Sequence, residues 1–315
     1  MSSSASSAPL KVLVPGDLGL DVSDTPTNIE AVLYQPGHPW PPGHLDASVV
    51  VVGYDKAAAV GARFADLPKL CLVQTLNAGY EQWLPLLPAG VMLSNGRGAH
   101  GGSSAEWVVA ALLAIYRELG LFARHQADGQ WRRKDTETLI GKRVVVLGAG
   151  DLAVNLAARL APFETDVVLV GRHARPGVRA MDEVAGLLPD ADVVVAMLPE
   201  SEATHHIVDA GFLARLPDGA VVVNVGRGGL VDTDALLKEL TSGRLRAALD
   251  VTDPEPLPAG HPLWSAPGLL LTPHVAGSTE GAWQRAWTVA LRQLEAFASG
   301  AKPPNLVAGP RTAAP

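Results

Sequence analysis

Near the middle of the chain an apolar run, Val144-Val145-Val146-Leu147, passes straight into Gly148-Ala149-Gly150-Asp151-Leu152-Ala153. No other segment restricts the fold as strongly. A buried strand that enters a glycine turn, with a helical pattern behind it, lets the backbone approach a dinucleotide pyrophosphate. Small residues clear the space, and the helix N-terminus offers N–H groups and the positive end of its dipole. The same letters also make a tight packing corner in chains that bind no nucleotide. Position adds what the letters lack. The turn begins at residue 148 of 315, so enough chain precedes it for a second domain.

The rhythm on either side agrees. Strands are expected at 143–147, 167–170, 193–197, 220–225, 247–251 and 269–272. Each is nearly continuous in Val, Leu and Ala, as parallel strands covered on both faces should be. Helical segments at 152–160, 211–216 and 233–240 lie between them, the last with Asp232 or Thr233 as N-cap. The first hundred residues repeat the pattern, with strands at 11–14, 48–52, 70–74 and 91–93 and a helix at 57–65. A long helix from Ser104 to about Arg124, starting on Ser103 or Ser104, leads to the glycine turn. A last helix, 279–299, returns toward the first part. The fold class is therefore α/β, with two Rossmann-like domains built on doubly wound parallel sheets. The dinucleotide-binding domain, 99–278, is expected to be inserted in a smaller flavodoxin-like substrate domain made of 1–98 and 279–315.

Composition narrows the function. A net charge of −7 argues against a nucleic-acid groove, which needs clustered Lys and Arg. The single cysteine, Cys71, lies in an apolar run and is expected to be a small core residue in a reducing compartment. The N-terminus has neither a basic start nor an apolar core segment of a secretory signal. The longest uncharged apolar stretch, 107–116, is too short to span a bilayer. A soluble, cytoplasmic protein is expected, with loose ends at 1–9 and from 302 onward.

Three segments placed at or just past the C-terminal ends of predicted strands carry the candidate chemistry. They are Asn224-Val225-Gly226-Arg227-Gly228, Leu249-Asp250-Val251 through Pro254-Glu255-Pro256, and Thr272-Pro273-His274. Open α/β sheets place their ligands at that edge. Arg227 offers a planar fork of donors for a carboxylate and can polarise a neighbouring carbonyl. His274 can give a proton to the carbonyl oxygen as hydride reaches its carbon, and Glu255 can hydrogen-bond the other imidazole nitrogen and fix the ring. Taken singly, the Arg is as readily an ion-pair partner, the Glu a turn residue and the His a capped core residue. Their order along the chain and shared edge favour hydride transfer to a 2-oxo acid.

The arrangement resembles the D-isomer specific 2-hydroxyacid dehydrogenase family over nearly the whole chain. Val223-Asn224-Val225-Gly226-Arg227-Gly228, Leu249 to Pro258 and Thr272-Pro273-His274 look like the family's catalytic arginine, glutamate and histidine motifs. Gln74-Thr75-Leu76-Asn77-Ala78-Gly79-Tyr80 resembles the loop whose N–H groups hold the substrate carboxylate, which implies Asn77, Ala78 and Gly79, with Arg227 and His274, as substrate contacts. Ser104-Ala105-Glu106-Trp107 resembles the start of the helix at the dimer interface and implies a homodimer. The resemblance places Gly148, Gly150, Asp151 and Leu152 at the pyrophosphate and Leu198 and Pro199 near the adenosine. It places Val225, Gly226 and Asp250 at the nicotinamide carboxamide, with Gly277 just beyond His274 also among the cofactor contacts. Asp151 departs from the pattern by adding negative charge beside the pyrophosphate.

The end of the second strand of this domain selects the cofactor. An acid there would bind the ribose 2′-hydroxyl of NAD. The chain has Gly171-Arg172-His173-Ala174-Arg175 instead, and this is similar to NADP-using glyoxylate/hydroxypyruvate reductases of the family. NADP(H) is expected over NAD(H), with Arg172 and Arg175 on the 2′-phosphate. The bland reading of the two arginines is a solvated loop. Gly53-Tyr54-Asp55 has no Arg to hold a substrate phosphate, which weighs against phosphoglycerate. Glyoxylate, hydroxypyruvate or a bulkier 2-oxo acid remain open.

His205 and His206 are expected at the start of a surface helix, and His38, His44 and His261 show no metal-ligand spacing; no metal site is expected. His100 sits beside Gly101-Gly102-Ser103, where a cleft between the domains would hold the active site. Trp283 and Trp287, four apart, read as core or interface, with Trp283 able to close a pocket. The alternative to an enzyme is a nucleotide-sensing regulatory protein of the same fold.

Overall fold

The computed structural model describes residues 8–54 and 56–309. Most of the expected loose N-terminal segment, the last six residues and Asp55 lie outside the described residues. The chain divides into two units, one of residues up to 100 and from 280 onward, the other of 101–279. Both are α/β with predominantly parallel sheets.

The first unit runs β1 (Leu10–Pro15), β2 (Ile29–Tyr34), β3 (Val49–Val52), a short α1 (Ala57–Gly61), β4 (Leu72–Thr75) and β5 (Met92–Ser94). These five are parallel in the order β2-β1-β3-β4-β5. Chain order therefore reverses direction between β1 and β3, which makes the C-terminal ends of those two strands the sheet's switch point.

The second unit begins with α2 (Gly101–Tyr116) and α3 (Leu119–Ala127). It continues through β6 (Arg143–Leu147), α4 (Asp151–Leu160), β7 (Asp166–Gly171), β8 (Val178–Ala180), β9 (Val193–Ala196) and α5 (Ala210–Leu213). It ends with β10 (Val221–Asn224), α6 (Thr233–Thr241), β11 (Arg246–Leu249) and β12 (Leu269–Leu271). The seven strands are parallel in the order β8-β7-β6-β9-β10-β11-β12, with the reversal between β6 and β9. The valine runs are explained by cover on both faces. Val144, Val146, Val193, Val195, Val221 and Val223 pack with Leu112 of α2 and Leu156 of α4. The alternate residues Val145, Val194 and Val222 pack with Leu213 of α5 and Leu236 of α6. Asp232 caps α6, its side chain accepting from Ala235 N at 3.0 Å.

The chain then returns to the first unit as α7 (Ala282–Ala298) and β13 (Leu306–Ala308), the latter antiparallel to β5. This corrects the expectation of a loose end from 302. Asn305 is buried and pins the segment: its N–H donates to Gln293 Oε1 at 2.8 Å, and its Nδ2 donates to the carbonyls of Asn95 and Arg97.

Other differences have local causes. Two edge strands escape pattern reading. β2 keeps only its two end residues fully buried and exposes half of Leu33, and β8 has three residues with Arg179 turned outward to Glu183. The long helix begins at Gly101, so Ser103 and Ser104 lie inside it rather than capping it, and it breaks at Glu118, whose φ is 47°. Lys134 Nζ holds both Glu118 carboxylate oxygens at that break, and Gly120, a poor helix former, follows it. α1 stops at Gly61, against which Leu86 packs, and the last helix is trimmed to 282–298. Cys71 is exposed, because it precedes β4 and faces outward, its thiol donating to Lys69 O. Among the described residues no helix is long and apolar enough to cross a membrane.

Candidate functional site

The glycine turn occupies the switch point of the second sheet. Gly148 has φ 130°, and a Cβ there would stand 2.8 Å from Met197 O, just beyond β9, so both conformation and space demand glycine. Gly150 is different. It is the residue before α4, its φ is ordinary at −92°, and a Cβ on it would meet nothing among the described residues within 4 Å. Nothing among the described residues requires glycine at 150, and the open space leaves room for close approach of an outside group. The first bond of α4 runs from Val154 N to Gly150 O at 3.1 Å. The N–H groups of Asp151, Leu152 and Ala153 therefore have no acceptor among the described residues and point out of the helix end. That is the donor set a pyrophosphate takes.

Asp151 turns away from this role. Its side chain lies against the first residue of α2, where a Cβ on Gly101 would overlap Asp151 Oδ2. Asn155 Nδ2 donates to Asp151 Oδ1 at 3.2 Å, and Arg159 Nη1 donates to Asn155 Oδ1 at 2.9 Å, a polar ladder along the face of α4 toward Gly101 and Gly102. The carboxylate thus sits beside the positive ends of two helices, which favour it. The only sequence signal for this contact is the Gly101-Gly102 pair.

At the end of β7, Arg175 Nη2 donates to Ala149 O of the glycine turn at 2.8 Å. A Cβ on Gly171 would come 3.2 Å from Arg175 Nη1, so glycine at 171 leaves the guanidinium room over the strand end. Arg172 is exposed and has no hydrogen-bond or ion-pair partner among the described residues. Two cations therefore flank the strand end where NAD-binding chains carry an acid.

Three neighbouring strands deliver the other loops, and buried polar groups stitch them together. Past β10, Asn224 is fully buried. Its Oδ1 accepts from Gly226 N at 3.1 Å and its Nδ2 donates to Arg227 O at 2.8 Å, which fixes the backbone on both sides of Val225. Arg227 is half-buried, and its Nη1 donates to Gly226 O at 2.7 Å. A Cβ on Gly228 would overlap Thr252 O, so the Arg227 loop lies directly on the loop that carries Glu255. Leu198 and Pro199 leave β9 beside it: a Cβ on Gly226 would stand 2.9 Å from Leu198 O.

Asp250 is 2% exposed and anchors the third loop. Its Oδ1 accepts from Thr272 Oγ1 at 2.6 Å and Val275 N at 2.8 Å, and its Oδ2 accepts from Ala276 N at 2.8 Å. Its carbonyl accepts from His274 N at 2.7 Å. His274 is thereby held at φ 54°, a left-handed conformation that non-glycine residues rarely adopt and that clusters at functional positions. The ring meets the carboxylate of the middle loop: His274 Nδ1 and Glu255 Oε1 are 2.6 Å apart across 19 residues of sequence. Gly277 closes the same turn. Asp250→Asn is expected to cost about 1–3 kcal/mol, because an amide nitrogen would oppose one of the loop's donors. Denaturant unfolding measures the loss, and an unchanged midpoint would refute this anchoring role.

In the first unit, residues 77–79 leave β4 at its C-terminal end. Thr75 Oγ1 and Gly96 N donate to Asn77 O, and Asn95 Nδ2 donates to Ala78 O. Every one of these bonds uses a carbonyl. The N–H groups of Asn77, Ala78 and Gly79 have no acceptor among the described residues. His100 Nε2 lies 3.2 Å from Asn77 Oδ1, and its ring stands edge-on to Trp283, with centroids 6.5 Å apart. Trp287 is buried in the core and Trp283 is half-buried.

His205 and His206 do not start a helix. They stack at 4.0 Å in an exposed turn, with His206 at φ 50° and His205 Nδ1 3.1 Å from Glu200 Oε1. Sequence reading gave no role to Asn224 and assigned Asp250 to the nicotinamide carboxamide, not to holding the His274 loop. The available signal was a polar residue closing an apolar run, since a buried polar group must be bonded.

Residues 109–276 match the family model described as D-isomer specific 2-hydroxyacid dehydrogenase, NAD binding domain. A glyoxylate reductase of Thermofilum pendens is 30% identical over 255 residues, covering 76% of this chain and 75% of that protein. A D-isomer specific 2-hydroxyacid dehydrogenase of Xanthobacter autotrophicus Py2, solved with NADPH and MES, is 28% identical with a TM-score of 0.79 over 97% of this chain and 99% of that one. An NADPH-dependent glyoxylate/hydroxypyruvate reductase of Sinorhizobium meliloti, solved with NADP and sulfate, is 25% identical with a TM-score of 0.80 over 95% of this chain and 98% of that one.

Proposed function

The chain belongs to the D-isomer specific 2-hydroxyacid dehydrogenase family and is an NAD(P)-dependent oxidoreductase; from that premise we propose that it reduces a 2-oxo acid to the D-2-hydroxy acid, with NADP(H) as its preferred cofactor. The observation that carries this reading is the His274–Glu255 pair at 2.6 Å, on a loop held left-handed by Asp250 beside the Arg227 loop. A positioned acid, a group that orients it and a fixed guanidinium are what carbonyl reduction asks of a protein.

The roles follow from the chemistry of each group. Arg227 binds the substrate carboxylate and polarises the adjacent C2 carbonyl; in the first unit, the N–H groups of Asn77, Ala78 and Gly79 are donors suited to a carboxylate. A bound nicotinamide supplies hydride to C2 in reduction and takes it in oxidation. His274 gives its proton to the carbonyl oxygen from Nε2, since Nδ1 faces Glu255. In the reverse direction it accepts the hydroxyl proton. Glu255 holds the ring and complements the charge it carries as donor. Gly148, Gly150 and the N–H groups of Asp151 and Leu152 hold the pyrophosphate. Leu198 and Pro199 flank the adenosine, and Val225, Gly226, Asp250 and Gly277 surround the nicotinamide end.

Support for NADP(H) comes from the strand end at Gly171. Arg172 and Arg175 supply the cations that a 2′-phosphate needs, and no acid is present to repel it. The relatives solved with NADPH and NADP agree. Removing both cations is expected to lower the ratio of kcat/KM with NADPH to kcat/KM with NADH by about 10–150-fold, the worth of one or two charge-assisted hydrogen bonds. The check is steady-state reduction of glyoxylate by an Arg172→Ala, Arg175→Ala double variant with each cofactor. A wild-type enzyme that uses NADH equally well would end the NADP(H) preference. Tight cofactor binding with no turnover of any 2-oxo acid would favour a nucleotide sensor instead.

A further inference from the structure

The main-chain bonds that hold residues 77–79 all take carbonyls, and the peptide bonds of this loop are trans. A trans peptide group is planar, with its C=O and N–H pointing in opposite directions. Fixing one carbonyl therefore aims the N–H of the next residue. Thr75 Oγ1 at 2.6 Å and Gly96 N at 2.8 Å donate to Asn77 O, so they aim the N–H of Ala78. Asn95 Nδ2 donates to Ala78 O at 2.7 Å, so it aims the N–H of Gly79. The two segments are in close contact. A Cβ on Gly96 would stand 2.2 Å from Leu76 O and 2.9 Å from Asn77 N, so only glycine lets the chain after Asn95 lie on the loop.

Asn95 is buried and is backed by the end of the chain. Asn95 N donates to Asn305 O at 3.1 Å, and Asn305 Nδ2 donates to Asn95 O at 3.1 Å. The same Nδ2 donates to Arg97 O at 2.9 Å, and Arg97 Nη2 donates to Asn305 Oδ1 at 3.1 Å. Gln293 of α7 completes the row, its Oε1 accepting from Asn305 N at 2.8 Å. Gln293, Asn305 and Asn95 thus form a buried line of amides that runs from α7, past the start of β13, to the loop. Burying amides costs desolvation that apolar side chains would avoid. Fully bonded, they fix direction as well as distance.

We propose that Asn95 is a positioning residue of the substrate site, that it aims the Gly79 N–H at the carboxylate of the 2-oxo acid, and that Asn305 extends this control to the C-terminal strand. The proposal rests on the reading of residues 77–79 as carboxylate donors. Donors aimed in advance need no reordering when the acid binds. Without the Asn95 amide the Ala78 carbonyl loses its hold, and the peptide between Ala78 and Gly79 can turn its N–H away. Asn305 acts one step further back, because it holds the main chain of Asn95 on both sides.

The test is steady-state reduction of glyoxylate, with NADPH saturating, by Asn95→Ala, Asn305→Ala and the double variant. Asn95→Ala is expected to raise the KM for glyoxylate by about 10–100-fold, the worth of a buried hydrogen bond and a misplaced donor. Asn305→Ala is expected to raise it by about 3–10-fold, since its bonds reach the loop only through Asn95. The double variant should match Asn95→Ala within about twofold, because both act through one peptide. kcat should stay within about threefold of wild type, and NADPH affinity, measured by fluorescence, should not move. Partial unfolding would instead remove active enzyme, lowering kcat with KM unchanged. Oxamate, which carries a carboxylate and accepts no hydride, reports on the loop directly. With NADPH present it should slow amide hydrogen exchange at 76–80 in the wild type, and less so in Asn95→Ala. Slowed exchange in the wild type with an unchanged KM in folded Asn95→Ala would overturn the proposal alone, and so would additive losses in the double variant or an equal loss of NADPH affinity. If Asn95→Ala does not fold, an unmoved KM in Asn305→Ala overturns it. No change in wild-type exchange with oxamate would remove the carboxylate reading and the proposal together.

Discussion

His274→Gln is expected to lower kcat for 2-oxo acid reduction by about 10²–10⁴-fold, the usual worth of a positioned general acid. Glutamine keeps the approximate reach of the ring and can still hydrogen-bond, but it has no proton to give at neutral pH. The substitution is clean for a structural reason. The loop is fixed by main-chain bonds, from Val275 N and Ala276 N to Asp250 and from His274 N to Asp250 O, none of which uses the imidazole. Histidine adopts the left-handed backbone at 274 somewhat more readily than glutamine does, a small cost beside those main-chain bonds. Cofactor affinity and the unfolding midpoint should therefore stay near wild type while turnover falls. Following NADPH oxidation at the nicotinamide absorbance, with cofactor binding measured separately by fluorescence, separates the two effects. A His274→Gln enzyme within about threefold of wild-type kcat would move the proton donor elsewhere, since such a change lies far below the range of general acid catalysis.

The sequence was most readable where burial is uniform. Strands such as Val193–Ala196 and Val221–Asn224 are covered on both faces, so their letters are continuous and their number and spacing disclose a doubly wound sheet. Edge strands do not share that property. β2 is half-exposed and β8 only three residues long, and neither shows the continuous apolar run of a central strand. The segment around Leu306 is a strand only because Asn305 is tied to Gln293, Asn95 and Arg97, residues far away in sequence. Arg227, Glu255 and His274 could be read as a set because each stands at the same edge of adjacent strands. Their supports could not. The contacts of Asn224, the three bonds to the Asp250 carboxylate and the overlap that makes Gly228 obligatory are tertiary facts. Asp151, which looks out of place beside a pyrophosphate, is explained by Gly101, fifty positions earlier, against which its carboxylate packs. Glycines thus carried two kinds of information. Gly148 answers to the protein's own packing against Met197, while Gly150 answers to nothing among the described residues, and that difference appears only in three dimensions.

Arg227→Ala is expected to lower kcat/KM for the 2-oxo acid by about 10²–10³-fold, within the 2–5 kcal/mol that truncating one partner of a hydrogen-bonded charge pair costs. Most of the loss should appear as a raised KM, because in the proposed role the guanidinium binds the carboxylate of substrate and transition state alike. A smaller fall in kcat should accompany it, since the same group also polarises the reacting carbonyl and that contribution grows as charge develops on oxygen. The loop itself should survive. Its path is set by Asn224, which accepts from Gly226 N and donates to Arg227 O, and by the packing of Gly228 on Thr252, and none of these contacts uses the Arg227 side chain. What disappears is the fork, which Arg227 Nη1 holds at 2.7 Å from Gly226 O. Arg227→Lys tests whether charge or fork matters. Lysine restores a cation without planar bidentate geometry, so it should recover only part of the KM and little of the kcat. Steady-state kinetics over a range of 2-oxo acid concentrations, with NADPH saturating, gives both constants for the three proteins. If alanine raised the KM for NADPH while leaving the KM for the oxo acid unchanged, Arg227 would belong to the cofactor rather than to the substrate carboxylate.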